Sequence, residues 1–290
     1  MRRRELFSTD PGLVARMVLA AVGTPVVVVA ALVAVVLIAP VKVVGFVALA
    51  SVVGAVLAQR ERARRSEARE TTAAEAPAVH AIVERLCLIA DLPKPRIVIE
   101  NERQPNSWIV SLGRGHTRLH LTRGLLERLE PHELEAVIAH ELAHVAHRDA
   151  TVMTVVGWPG AVLLGGGLRL SRGFWMMNIG GLVAAAIGWV ASIGTRALSR
   201  YREFAADEGA GVLTGRPAAL ASALMKVSDG LIAIPAADLR VAAARDAFHL
   251  LAVGRDRTLL PPTHPPLAAR IARLERQEAR LQAARPALRD

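Results

Sequence analysis

The sequence predicts an α+β fold, mainly α, in which two transmembrane helical hairpins interrupt a polar domain that carries a small β-sheet. Three observations lead there. Long uncharged apolar runs occur in two separate places, β-like runs are confined to residues 96–122, and most of the remaining polar sequence reads as helix. Hydrophobic residues make up 52% of the 290 residues but aromatics only 3%, so the apolar mass is Ala, Val and Leu. That composition suits membrane helices better than a globular core.

The first apolar run, Met17–Ala39, contains no charge and exceeds the about 20 residues that a bilayer requires. It is too long for the apolar part of a cleaved signal, and no small-residue cleavage site precedes a polar mature start. Val43–Ala58 follows Pro40 and Lys42, and Lys42 can snorkel to extend this shorter span. A hairpin turning near Ala39–Lys42 is expected. A charged helix should run from Arg60 to Ile89, with Cys87 among Leu86, Leu88 and Ile89 as a core position. As the lone cysteine it excludes an intramolecular disulfide and fits a reducing compartment.

After Pro93 and Pro95, strands are expected at Arg96–Glu100, Ser107–Leu112 and Thr117–Thr122, the last two joined as a hairpin through Gly113-Arg114-Gly115. Pro131–His147 reads as a helix, with Pro131 in its first turn and Leu134, Val137, Ile138, Leu142 and Val145 at helical spacing. The second hairpin comprises Val152–Leu168 and Gly173–Thr195. Gly165-Gly166-Gly167 and Gly180-Gly181 would let its helices approach closely, and neighbouring helices can accommodate Pro159. The sequence beyond is mostly helical, broken by Pro217, Pro235 and Pro261-Pro262, and ends in an Arg/Glu-rich helix whose charges read as a solvated face. The predicted organisation is an anchoring hairpin at 1–59, a first piece of the polar domain at 60–150, the second hairpin at 151–195 and a second piece at 196–290.

The net charge of +10 comes from Arg clusters at Arg2–Arg4, Arg60–Arg69 and Arg196–Arg202, each flanking an apolar segment. By the positive-inside rule these belong on one side of a multi-pass membrane protein, the cytoplasmic one, and the two short turns then face outward. Arg169 and Arg172, in the turn of the second hairpin, oppose this unless that hairpin crosses only partly. No recognition motif or aromatic-interleaved basic stripe supports nucleic acid, and the partner that the apolar runs imply is the lipid bilayer. Oligomeric state is not legible.

The most informative residues are His140-Glu141-Leu142-Ala143-His144. Positions i and i+4 share a helix face, so both imidazoles can reach one metal ion. Glu141 then lies beside the open coordination position, where it can take a proton from an activated water. Two His and a Glu in the apolar half of a buried helix need a reason, and a zinc-dependent hydrolase supplies it. Two His ligands leave the sphere short of one protein group. His147 cannot easily converge with them from one straight helix, and Ala150 stands where a third His would be needed six residues after His144. Glu203 is the stronger candidate. It is expected to start the helix after the last span, with Asp207 one turn on and suited to hold a ligand imidazole by its other nitrogen.

These elements together resemble the HtpX-like membrane metalloproteases, relatives of the CAAX prenyl protease. The resemblance rests on His140-Glu141-Leu142-Ala143-His144, on Ser199 to Asp207 after two apolar spans, on Pro105-Asn106-Ser107, and on Thr263-His264-Pro265-Pro266 with Arg270-Ile271. It implies a membrane-anchored, gluzincin-like metalloprotease domain with one zinc ion ligated by His140, His144 and Glu203, and Glu141 as general base. It further implies Asp207 as an acid behind the ligands, His264 as a His facing the cleft, and Asn106 at a substrate-binding edge. The implied activity is zinc metalloendopeptidase, facing the cytoplasm and degrading damaged or misfolded membrane proteins. Ser107-Trp108 departs from the Ala and Phe-like residues usual after the Asn, and His147 stands where Asn is common. A prenyl-peptide or housekeeping protease of the same chemistry and a catalytically silent membrane scaffold are the rival readings.

Overall fold

The structure is a computed structural model that describes residues 10–38, 69–111, 117–171, 175–232 and 262–284. Among these, eight helices surround a three-stranded sheet: α1 (Pro11–Ile38), α2 (Pro77–Ala90), β1 (Arg96–Glu100), β2 (Ser107–Ser111), β3 (Thr117–Thr122), α3 (Arg123–Arg128), α4 (Pro131–His147), α5 (Asp149–Leu170), α6 (Trp175–Thr214), α7 (Pro217–Ile232) and α8 (Leu267–Ala284). The fold is mainly helical, as the sequence predicts. The expected second span at 43–58, and the breaks at Pro235 and Pro261, lie outside the described residues.

Three helices are long and apolar enough to cross a membrane, over Pro11–Ala30, Asp149–Leu168 and Ile179–Thr214. Their side chains show why. Leu19, Val22, Val26 and Val29 of α1, Val155 of α5 and Ile179, Leu182 and Val190 of α6 are large apolar groups facing outward. An aqueous surface would make this a liability, whereas lipid makes it the solvated face. At a rise of about 1.5 Å per residue, the 22 residues of α5 extend about 33 Å, the thickness of a hydrocarbon core.

Within the hairpin, α5 and α6 are in backbone contact. A Cβ on Gly188 would come within 2.2 Å of the Leu164 nitrogen, and one on Gly167 within 2.5 Å of the Gly181 oxygen. Gly167 is therefore the packing residue of its triplet, while Gly165 and Gly166 meet nothing. Helix α1 joins them at Gly194, where Thr24 occupies the space a side chain would need.

The soluble core lies under the sheet. Strand order is β1-β3-β2, with β1 parallel and β2 antiparallel to β3, Ser107 opposite Leu121 and Trp108 opposite His120. The β2–β3 pairing agrees with the expected hairpin, although the link at 112–116 is outside the described residues. Leu119 and Leu121 pack with Val83, Leu86, Ile97, Val137, Ile138, Leu142, Leu220 and Leu224 in one continuous apolar cluster. At about 25 cal/mol per Å² of buried apolar surface, that cluster holds the sheet, α4 and α7 together.

Three expectations are corrected. The helix expected from Arg60 to Ile89 is not continuous: residues 60–68 lie outside the described residues, 69–76 run beside β1 with Thr71 N donating to Ile97 O at 2.8 Å, and Glu75 folds back to accept from Thr72 N at 2.8 Å. Pro77 fits helix position N1 and so sets the start. Glu203 does not start a helix. The chain from Trp175 to Thr214 is one helix of 40 residues, with no Pro to interrupt it. The last helix is not solvated throughout, because Arg270 in its first turn is fully buried.

Candidate metal centre

Helix α4 places the two imidazoles. Glu130 caps it, its side chain accepting from the backbone of Glu133 while Glu133 Oε2 accepts from Glu130 N at 2.9 Å. Pro131 occupies the first turn. Glu133 also reaches α7, accepting from Ser222 Oγ at 2.6 Å and Lys226 Nζ at 2.7 Å, which fixes the helix from outside the site. Burial works against that carboxylate, but the lysine and the hydrogen bonds leave its pKa below the ordinary value. The helix ends at Arg148 in the left-handed region (φ 57°), and this sharp turn returns Asp149, the first residue of α5, against the last turn of α4.

The rings of His140 and His144 meet edge to face, centroids 4.7 Å apart, and their Nε2 atoms are separated by 3.1 Å. Helix α6 brings Glu203 over them: Oε1 lies 3.4 Å from His144 Nε2 and Oε2 3.7 Å from His140 Nε2. Among the described residues, His140, His144 and Glu203 form the group whose ligand atoms all lie within 4.8 Å of one another. His147, three residues further along α4, is buried outside that group.

The backs of the rings decide what the group can hold. His140 Nδ1 is 3.0 Å from Asp207 Oδ1, and His144 Nδ1 is 2.5 Å from Asp149 Oδ2. His144 Nδ1 hydrogen-bonds Asp149 and the Asp207 carboxylate stands against His140 Nδ1, so that Nε2 is the nitrogen each ring turns toward Glu203, as a lone-pair donor. Two nitrogen lone pairs and a carboxylate facing one another in a buried space repel unless a cation lies between them. Tetrahedral zinc with bonds of about 2.0–2.1 Å separates its ligand atoms by about 3.3 Å, close to the spacings seen here. The residues fit zinc.

Around this group sit the other residues singled out from the sequence. Glu141 is buried and accepts from Ser107 Oγ, at the start of β2, at 2.6 Å. His264 Nδ1 lies 3.5 Å from Glu203 Oε2. Asn106 is buried just before β2, the edge strand of the sheet, where its backbone N donates to Thr122 Oγ1 at 2.9 Å and its O accepts from Thr122 N at 3.0 Å.

The sequence assigns no role to the residues behind this arrangement, although Arg270 and Ser107 belong to the motifs that carry the resemblance. Arg270 of α8 donates to both Asp207 oxygens, at 2.8 and 2.7 Å, and its NH1 lies 3.3 Å from Glu203 Oε2. Burial disfavours its charge, yet the two carboxylates hold its pKa above the usual arginine value. Asp149 and its ion-pair partner Arg202 were equally unforeseen, as was Ser107. Arg202, which the sequence offers only as part of the basic cluster Arg196–Arg202, is buried.

Known proteins bear on this geometry. Residues 73–278 match peptidase family M48. The chain is 41% identical to a protease HtpX homolog of Moorella thermoacetica over 233 residues, covering 74% of this chain and 77% of that one. It is 39% identical to protease HtpX homolog 2 of Methanosarcina mazei, covering 70% and 74%, and 41% identical to protease HtpX homolog 1 of Streptomyces coelicolor, covering 70% and 71%. Among solved structures, Ste24p of S. mikatae matches with a TM-score of 0.47 and 18% identity, over 68% of this chain and 50% of that one. With its two histidines and glutamate converged beside membrane-length helices, this chain belongs to the HtpX-type membrane metalloproteases of peptidase family M48.

Proposed function

We propose that the protein is a zinc-dependent endopeptidase of the inner membrane whose active site faces the cytoplasm and which degrades damaged or misfolded membrane proteins. The observation that carries the chemistry is the meeting of His140 Nε2, His144 Nε2 and the Glu203 carboxylate beside Glu141. These three residues would hold one zinc ion, which when bound supplies Lewis-acid polarisation of the scissile carbonyl and acidifies the attacking water. Glu141 takes the proton from that water and delivers it to the leaving amine nitrogen. Asp207 keeps His140 in the tautomer that presents Nε2. His264, whose Nδ1 lies 3.5 Å from Glu203 Oε2, would steady the developing oxyanion or the substrate.

A peptide would lie along β2, adding as a further strand, with Asn106 holding the entrance of that edge. The catalytic domain is divided into 60–150 and 196–290 by the membrane hairpin at 151–195. Both ends of the hairpin reach the site, α5 through Asp149 and α6 through Glu203, so substrates emerging from the bilayer meet the centre at its surface. The Arg-rich flanks support the cytoplasmic side.

The test is paired: zinc content and casein cleavage of detergent-purified protein, wild type beside Glu141→Gln. One zinc per chain in both, with turnover in the wild type alone, is the expected result. Folded wild-type protein with neither zinc nor turnover would transfer the reading to a silent scaffold.

A further inference from the structure

The two zinc histidines have unlike positions in the chain yet matching support. His140 is backed by Asp207, and Asp207 is gripped by Arg270. His144 is backed by Asp149, and Asp149 is paired with Arg202. Each imidazole therefore faces an aspartate that faces an arginine. All four supporting residues are buried, between 0% and 7% exposed, where an ionic group persists only if it is paired.

The elements differ. Asp207 and Arg270 join α6 to the C-terminal helix α8. Asp149 is the first residue of membrane helix α5, and Arg202 lies on α6 immediately before the ligand Glu203. Arg202 NH2 also donates to the backbone oxygen of His147 at 3.2 Å, which ties it to the last turn of α4. The pair thus sits at the base of the α5–α6 hairpin and touches the elements that carry all three ligands.

We infer that Asp149 and Arg202 are positioning residues for the metal centre: Asp149 fixes the ring of His144 with Nε2 turned to the metal, and Arg202 holds Asp149 in place at the foot of the membrane hairpin. Neither residue touches the reacting atoms. Asp149 stabilises the Nδ1–H tautomer and the ring orientation, and Arg202 acts through Asp149 by offsetting its charge. This rests on the zinc reading above.

The experiment uses the full-length protein in detergent, stripped of metal and titrated with zinc against a chromophoric chelator. The variants are Asp149→Asn, Arg202→Gln and the double substitution, with the melting temperature of each metal-free protein measured alongside. Loss of a carboxylate behind a histidine ligand weakens metal binding by about 10–100-fold, and that is expected for Asp149→Asn. Arg202→Gln should weaken it less, and the double variant should be no weaker than Asp149→Asn, because Arg202 works through Asp149. Cobalt in place of zinc should give an altered visible spectrum in Asp149→Asn, which a purely structural role for Asp149 would leave unchanged.

Wild-type zinc affinity in folded Asp149→Asn would overturn the inference, as would a double variant whose loss is the product of the single losses. If Asp149→Asn does not fold, Arg202→Gln decides: unchanged affinity and cobalt spectrum overturn the inference, weakened affinity supports it. Failure of the wild type to bind zinc would instead remove the metalloprotease reading itself, so the two failures are distinguishable.

Discussion

From Ile179 to Val190, helix α6 turns large apolar side chains outward: Ile179 is 67% exposed, Leu182 58% and Val190 48%. From Leu198 to Leu213 the same helix turns charged groups inward, with Arg202, Glu203 and Asp207 each under 9% exposed. The two halves share one backbone and reverse the usual relation of polarity to burial in different ways. In the first half lipid replaces water as the solvent of the outer face. In the second, charges remain buried because each has a partner: Arg202 has Asp149, Asp207 has Arg270 and His140, and Glu203 has the histidines and Arg270. A single unbroken helix therefore joins an apolar segment of membrane length to Glu203, with no joint between them.

The strongest way to break this contrast is to remove a partner from the catalytic half. His140→Ala should abolish zinc binding and turnover together, read by elemental analysis and casein cleavage, because two remaining ligands do not make a zinc site. Glu141→Gln should keep zinc and lose about 10²–10⁴-fold in kcat, the range of general acid–base contributions. Retention of the wild-type kcat would remove Glu141 as the base. Arg270→Met should leave Asp207 and Glu203 as insufficiently compensated buried carboxylates and cost about 3–5 kcal/mol of stability. Thermal melting of the metal-free protein would show it, and an unchanged melting temperature would mean that water reaches those carboxylates.

What the sequence makes legible follows from how local each signal is. His140, Glu141 and His144 are fixed by helical spacing alone, and the helix Pro131–His147 has its proline and acidic first turn written at one end. The strands at 96–100 and 117–122 stand between Pro and Gly punctuation and agree with the structure residue for residue. Arg270 was misread because the last helix is rich in charge. Its signal is positional: Arg270 lies four residues before buried Leu274, inside the apolar stripe rather than opposite it. Asp149 was illegible for a different reason. It lies five residues after His144, and only the left-handed turn at Arg148 brings it back to the ring. Ser107 could have been found from strand alternation, since it shares a face with Ile109, which packs against the core. The single helix expected over Arg60–Ile89 fails at 69–76, where the hydrogen bonds of Thr72 and Glu75 favour a turn.

Charge introduced into the two halves of α6 sharpens the contrast at a smaller scale. Leu182→Lys places an ammonium on the lipid face of the span, where insertion costs about 2.5–3.5 kcal/mol near the centre and less toward the interface. Val212→Lys, at 39% exposure on the catalytic half, should change stability by no more than about 0.5 kcal/mol if water covers that face. The readout is melting temperature and yield of membrane-inserted protein. Equal losses at the two positions would put Val212 in lipid as well and move the bilayer boundary toward the metal site.

The smallest expected effect lies in the sheet, away from the membrane. His120 is buried, stacked on Trp108 with ring centroids 4.8 Å apart, and its Nδ1 lies 2.9 Å from Glu100 Oε1. Burial lowers its pKa from the usual histidine value, and the hydrogen bond and charge of Glu100 only partly oppose this, with Arg118 adding to the lowering and Glu141 opposing it. The unfolded chain thus takes up a proton at higher pH than the folded one. By linkage, stability contributed by neutral His120 is fully present above the unfolded value of about 6.5 and is lost as pH falls from there through the lower folded value. Acidification from neutral pH to about 5 should therefore destabilise the wild type more than His120→Gln, compared by denaturant midpoints in the metal-free protein so that zinc release does not contribute. The reverse order would mean that Glu100 binds a protonated His120, and that the β2 side of the sheet carries an ion pair instead of a neutral stack.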